Sequence, residues 1–293
     1  MESKNLGWIG TGVMGRSMCQ HLLNAGHRLH IHNRTRHKSD VLLEQGAQWC
    51  TNPQEVARRS ETVFCIVGFP QDVEQVILGQ EGVLAGAARG TTVVDMTTSS
   101  PLLAEKIYRR AKAAGIETLD APVSGGDVGA REATLAIMVG GERAVYEKIL
   151  PLFQIMGKTI AYMGQAGTGQ HAKMCNQILI AGTMIGVVES LLYAHKAGMD
   201  LDQVIDIIGK GAASSWSINN LGRRIAKGDF NPGFFIKHFV KDMGIALQES
   251  LRMKLALPGL ALVNQFYAAA MAQGYENLGT QGLYKVLSQL SGC

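Results

Sequence analysis

The stretch WIGTGVMG, residues 8–15, follows a β-rich start and leads directly into a segment of helical periodicity, with Gly10, Gly12 and Gly15 in G-x-G-x-x-G spacing. Few other features would restrict the fold as much. A strand, a tight turn and a helix whose first N–H groups lack partners form a cradle for a pyrophosphate, because those amides point at the anion and the helix dipole favours negative charge. The spacing alone also fits a structural glycine turn. Its place at the start of the first strand–turn–helix unit selects dinucleotide binding, through Gly10, Thr11, Gly12, Val13, Met14 and Gly15.

The next segments repeat the alternation. Short β-rich runs (LGWIG, LHIHN, TVFCIV, TTVVDM, IETLDAP, TLAIMVGG, KTIAYMG) are separated by helix-like segments at 14–26, 36–45, 71–78, 101–114 and 142–154. This pattern predicts a mostly parallel, doubly wound sheet over residues 1–164. Beyond Gly169 the strand pattern stops. Helices are expected over about 170–197, 201–210, 215–227, 241–253, 258–273 and 279–290, making residues 165–293 an all-helical domain. The first of these is on the order of 40 Å long, enough to join two domains as one rod.

Composition excludes several classes. A net charge of +4 and 18% charged residues, spread along the chain, argue against nucleic acid or a membrane surface as partner. The least charged helical stretch, Ile178 to Val188, falls short of the roughly 20 apolar residues of a membrane span, so no membrane helix is expected. No secretory signal pattern is seen at the N-terminus, and a cytoplasmic location is expected. The five cysteines, Cys19, Cys50, Cys65, Cys175 and Cys293, have no metal-ligand spacing and are expected to be reduced, and mostly packing residues. No metal site is expected.

The end of the second strand carries Asn33, followed by Arg34, Thr35, Arg36, His37 and Lys38, where an NAD site would carry a carboxylate for the ribose hydroxyls. Cations at a helix start oppose the macrodipole and call for an anion. The 2′-phosphate of NADPH would supply it, with Arg34 as the fork and Asn33 and Thr35 as hydrogen-bond partners. A solvated basic face is the plainer alternative, and NAD(H) stays open beside the preferred NADP(H). Phe69, Pro70 and Thr98 also fall at carboxyl ends of strands, where open α/β sheets bind ligands. In DAPVSGGDVGA, Ser124, Gly125 and Gly126 offer a hydroxyl and two backbones without Cβ to a small carboxylate, or form a tight turn of positive φ.

WIGTGVMG, NRT, DAPVSGG, GQAGTGQHAKMCNQ and FIKHFVKD occur in the order and approximate spacing of the β-hydroxyacid dehydrogenases, which the whole chain resembles. The family includes 3-hydroxyisobutyrate dehydrogenases, tartronate semialdehyde reductases and glyoxylate/succinic semialdehyde reductases. The resemblance implies an α/β Rossmann-type N-terminal domain, an all-α C-terminal domain joined to it by a long interdomain helix, a reaction in the cleft between them, and a homo-oligomer, a dimer or tetramer. It makes Lys173 the general acid that protonates the substrate carbonyl oxygen during hydride delivery, and the base in reverse. Physical chemistry agrees, since an ammonium near that oxygen both stabilises its developing charge and supplies the proton.

Asn176 and Gln177 share the helical face of Lys173 at i+3 and i+4, so either can touch substrate. Lys241, beside Asp242, matches the family lysine that reaches the cofactor, and Phe234 or Phe235 is a candidate pocket wall. Trp216 is a weaker one. Gly182, Gly186 and Ala194 suggest close helix packing. The expected activity is NADPH-dependent reduction of small carboxylate-bearing semialdehydes or keto acids, glyoxylate and succinic semialdehyde foremost. An NAD-preferring 3-hydroxyisobutyrate dehydrogenase or tartronate semialdehyde reductase is the alternative, and a non-catalytic NADPH-binding module the third reading. Lys173 argues against an imine reductase, and Lys-x-x-Asn-Gln with a short helical domain argues against a 6-phosphogluconate dehydrogenase.

Overall fold

Four apolar residues in a row, Leu6 to Ile9, are buried on both faces of the first strand, as a sheet covered on two sides requires. The computed structural model describes residues 2–292, and the chain divides into two compact units, Met1–Lys173 and Met174–Cys293. The strands are β1 (Asn5–Ile9), β2 (Arg28–His32), β3 (Gln48–Trp49), β4 (Thr62–Cys65), β5 (Thr92–Asp95), β6 (Glu117–Asp120), β7 (Val123–Ser124), β8 (Leu135–Gly141) and β9 (Gly157–Gly164). They form one sheet in the order β3-β2-β1-β4-β5-β6-β8-β7, with β9 also paired to β8. Pairing is parallel from β3 through β6, then antiparallel where β8 meets β6 and β7.

The helices of this unit are α1 (Val13–Asn24), α2 (Asp40–Glu44), α3 (Pro53–Arg58), α4 (Pro70–Leu78), α5 (Val83–Gly86), α6 (Pro101–Ala113), α7 (Gly126–Arg131) and α8 (Arg143–Met156). One face of the sheet packs Trp8, Phe64 and Phe153, the first two rings stacked at 5.7 Å and the last two edge-on at 6.4 Å. The opposite face packs Ile9, Val63, Cys65 and Val93 against Val73, Ile77 and Ile107 of α4 and α6. Such two-sided burial is the source of the nearly continuous apolar runs that marked the strands in the sequence.

The second unit is built on α9 (Thr168–Lys196), whose first residues belong to the first unit, with α10 (Leu201–Ile208), α11 (Arg223–Ala226), α12 (Ile236–Arg252), α13 (Pro258–Ala272) and α14 (Leu283–Leu290). Ala181, Met184, Val188 and Leu191 of α9 are fully buried in one core with Phe239, Met243 and Tyr267. Phe239 and Tyr267 meet edge to face at 5.1 Å, and the Tyr267 hydroxyl donates to the Thr280 carbonyl at 2.8 Å.

Several sequence expectations need correction. The helix expected over 215–227 opens with a wide π-type turn at Ser217–Gly222, and the one expected from 241 begins at Ile236, after the Pro232–Gly233 break. Short α3, α5 and α7 and strand β3 were unforeseen, although Asn52 capping Glu55 N–H before Pro53 is a local start signal. By length and composition α9 could cross a membrane, because its weakly charged stretch is longer than Ile178–Val188; its buried residues place it in the core of the helical unit. Gly182 and Gly186 do not pack closely here, since a Cβ on either would meet open space, whereas Ala194 is buried. Of the described cysteines, Cys19, Cys50 and Cys65 are buried, in keeping with mostly packing roles, and Cys175 is exposed; Cys293 lies outside the described residues.

Candidate functional site

The loop between β1 and α1 shows why its three glycines differ. Gly10 has φ +99°, and a Cβ there would stand 2.0 Å from the Ile66 carbonyl oxygen. A Cβ on Gly15 would lie 2.1 Å from the Gly10 oxygen, so both positions pack backbone on backbone. Gly12, by contrast, precedes α1 and faces open space, as it must if a ligand is to approach the amides of Val13 and Met14. No side chain caps α1 at Gly12, which leaves that helix end to an anion.

A cavity of about 650 Å³ adjoins this loop, lined by Gly10, His32, Asn33, Arg34, Thr35, Lys38 and Asp72 among others. Asn33 braces the loop: its side chain accepts from Thr11 N–H at 3.1 Å and donates to the Thr35 carbonyl at 2.7 Å. The amide thus ties the glycine loop to the start of the basic segment. Thr11 is buried and shares a hydrogen bond with Ser39. The Arg34 side chain is 88% exposed and touches Asp72 of α4 at 3.4 Å. A dinucleotide fits this donor set, the open amides at Gly12–Met14 being suited to its pyrophosphate.

Phe69 precedes α4 and Pro70 begins it, so both also serve the plain role of starting a helix. Thr97 is buried and accepts from Val67 N–H, while its neighbour Thr98 is half-buried. Ser124 ends β7, and Gly125 and Gly126 have φ of 130° and 62°, so the tight turn is real.

Lys173 lies on α9 with only 6% of its surface exposed. The turn before it is bolted to the sheet. Asp120, at the end of β6, accepts from Gly167 N–H at 2.8 Å and from Gln170 N–H at 2.9 Å. Fully buried Gln170 accepts from Ser99 N–H at 2.9 Å and donates to the Thr97 carbonyl at 2.8 Å. Burial pushes the Asp120 carboxyl from 3.8 up to about 6, outweighing the backbone amides of Gly167, Gln170 and Gly169, which pull it down.

In the helical unit a buried polar chain joins α9 to α12. Asn176 donates to Gln177 Oε1 at 2.7 Å, Gln177 donates to Asp242 Oδ2 at 2.6 Å, and Asp242 Oδ1 pairs with Lys241 Nζ at 2.7 Å. A carboxylate only accepts, so the Gln177 amide must turn its nitrogen to Asp242 and its oxygen to Asn176. Gln177 is 1% exposed and spans the two helices, whereas Asn176 is half-buried. Phe234 stands edge-on to Phe239 at 5.7 Å and joins the helical core. Phe235 lies against His238, and Trp216 is 65% exposed.

Sequence reading missed Asp120, Gln170 and Asp72. The first two stood in quoted motifs, Asp120 beginning DAPVSGG and Gln170 within GQAGTGQHAKMCNQ, whereas Asp72 had no local signal.

Comparison with known proteins agrees with this architecture. The NAD-binding domain of 6-phosphogluconate dehydrogenase matches as a family model over residues 5–164, and the NAD-binding domain of NADP-dependent 3-hydroxyisobutyrate dehydrogenase over residues 167–287. The chain is 50% identical over 291 residues to a probable 3-hydroxyisobutyrate dehydrogenase-like 1, mitochondrial, of Arabidopsis thaliana, covering 99% of this chain and 87% of that one. It is 39% identical over 286 residues to the 2-hydroxy-3-oxopropionate reductase of Escherichia coli strain K12, covering 98% of each. A solved structure, Psf3 in complex with NADP+ and 2-OPP, superposes with TM-score 0.90 at 26% identity over 97% of this chain and 100% of that one.

With a Rossmann unit, a helical unit on the long α9 and these matches, the chain is an NAD(P)-binding oxidoreductase. It belongs to the β-hydroxyacid dehydrogenase family.

The position of Asp120 generates a test. Its carboxyl is raised above the unfolded value, so its stabilising contribution is present below 3.8 and is lost as pH rises through about 6. The shift corresponds to about 3 kcal/mol. Relative to Asp120→Asn, the native chain should gain stability by about that amount from pH 7 to pH 4, measured as urea unfolding free energies of both proteins at each pH. A constant difference between the two proteins would show that the carboxyl is not strained by burial.

Proposed function

We propose that this chain reduces small carboxylate-bearing aldehydes or keto acids to hydroxy acids with NADPH, reversibly, and that glyoxylate and succinic semialdehyde are its leading substrates. The observation that carries the reading is Lys173, an almost fully buried lysine on a helix anchored to the carboxyl ends of β5 and β6. Ligands of open α/β sheets bind at such strand ends. The cofactor supplies the hydride when bound. Lys173 holds a proton at Nζ, stabilises negative charge growing on the carbonyl oxygen and transfers the proton to it; in oxidation it takes the proton back.

Ser124 with the amides of Gly125 and Gly126 receives the substrate carboxylate. Half-buried Asn176 contacts substrate, while Gln177, 1% exposed and bonded to Asp242, braces it. Phe234 supplies apolar wall and Lys241, held by Asp242, faces the cofactor. Thr98, Phe69 and Pro70 line the cofactor site.

NADPH preference rests on Arg34 and Lys38 in the cavity beside the glycine loop, with no carboxylate at the end of β2. An NADP+ complex among the structural relatives supports it. The Arg34 contact with Asp72 favours a second reading, in which part of that positive charge is neutralised and NADH serves as well. The Asn176-Gln177 pair and the Escherichia coli relative favour tartronate semialdehyde among the alternative substrates. A second copy of the chain is proposed to cover the exposed face of α9 that carries Leu179, Gly182, Gly186 and Tyr193.

Three measurements test these readings. Lys173→Met should lower kcat about 10²- to 10⁴-fold with little change in NADPH affinity; full activity in that variant would sink the proposed acid. Arg34→Ala should raise KM for NADPH about 10- to 100-fold, the loss of a charged hydrogen bond, while KM for NADH stays within about threefold. Equal efficiency of the unaltered enzyme with NADH would overturn the preference. Light scattering should give a mass above one chain, and Leu179→Arg should shift it to one; a monomeric unaltered protein would refute the covered face.

A further inference from the structure

We propose that Asp120 is a positioning residue for Lys173, acting as a cap supplied from the sheet to the helix that carries the lysine. The inference rests on the reading of Lys173 as the proton donor and concerns what places it.

The residue before α9 is Gly167, which has no side chain to satisfy the first amides of the helix. Asp120 does this from 47 residues away, with one oxygen on Gly167 N–H and the other on Gln170 N–H. Gln170, in the same turn, reaches the backbone after β5 at both Ser99 and Thr97. The start of α9 is therefore fixed to two adjacent strands, β5 and β6, whose register pairs Asp95 with Asp120.

Lys173 comes three residues after Gln170, on the same face of the helix. Nothing in the surroundings gives slack. A Cβ on Gly169 would stand 2.5 Å from both the Asp120 and Met138 carbonyl oxygens, and one on Gly140 would stand 2.6 Å from Asp120 Oδ1. Glycine at these places lets the carboxylate sit against the backbone. A displacement of this turn moves the lysine with it, and proton transfer depends on placement at the scale of an ångström.

Asp120→Asn keeps the volume and removes the buried charge, but turns an NH₂ donor toward a backbone N–H and so breaks one of the two bonds. Gly169→Ala pushes the same turn away without altering any charge. Each variant should lower kcat about 10- to 100-fold while NADPH affinity, by fluorescence titration, stays within about threefold. Each should also raise the primary isotope effect on kcat with cofactor deuterated at the transferred position, because chemistry becomes slower than release. A merely structural role would reduce the folded fraction and leave the isotope effect where it was.

The proposal is overturned if kcat stays within about twofold in either folded variant, or falls with an unchanged isotope effect. Lys173→Met separates the two readings. Activity in that variant removes the reading on which the proposal rests; an inactive Lys173→Met beside a fully active Asp120→Asn removes the positioning role alone.

Discussion

A carboxylate taken out of water must be met by hydrogen-bond donors, and those that meet Asp120 are the backbone amides at the start of α9. Both sides of this interaction would otherwise be unsatisfied, since a helix leaves its first N–H groups without partners. Joining them fixes one point where the sheet ends and the helix begins. The position of Lys173, three residues after Gln170, follows from that point.

The same use of helix ends recurs at Gly12. There the first amides of α1 are left open instead of being filled by a side chain, and the chain keeps them available by placing glycine where a Cβ would find only empty space. One helix start is closed by a carboxylate of the protein and the other is left for the phosphates of a dinucleotide. The two starts also differ in charge balance. A dinucleotide brings its own negative charge to α1, whereas α9 receives that charge from Asp120 at the cost of burying it.

Those features were unequally legible in the sequence. The glycine loop could be read because its parts are contiguous, and strands and helices of the first unit could be read because two-sided burial writes apolar runs into them. Asp120 could not be given its role, since its partners are 47 and 50 residues away and depend on β6 ending beside α9. Helical spacing placed Asn176 and Gln177 beside Lys173 but could not divide their tasks. That division depends on Asp242, 65 residues further on, whose charge dictates which end of the Gln177 amide faces it. Likewise the sequence offers Asn33 as a hydrogen-bond partner of the cofactor, and only the packed loop shows that its amide also ties Thr11 to Thr35.

Gly140, Gly169 and Asp120 also bear on how this chain can change over generations. A methyl group at Gly140 meets the Asp120 carboxylate, and one at Gly169 meets the Asp120 and Met138 carbonyl oxygens. The tolerance of these positions is set by volume before charge: each glycine is held at the size of a hydrogen atom by the groups it faces, and a larger residue there has to move the turn that begins α9.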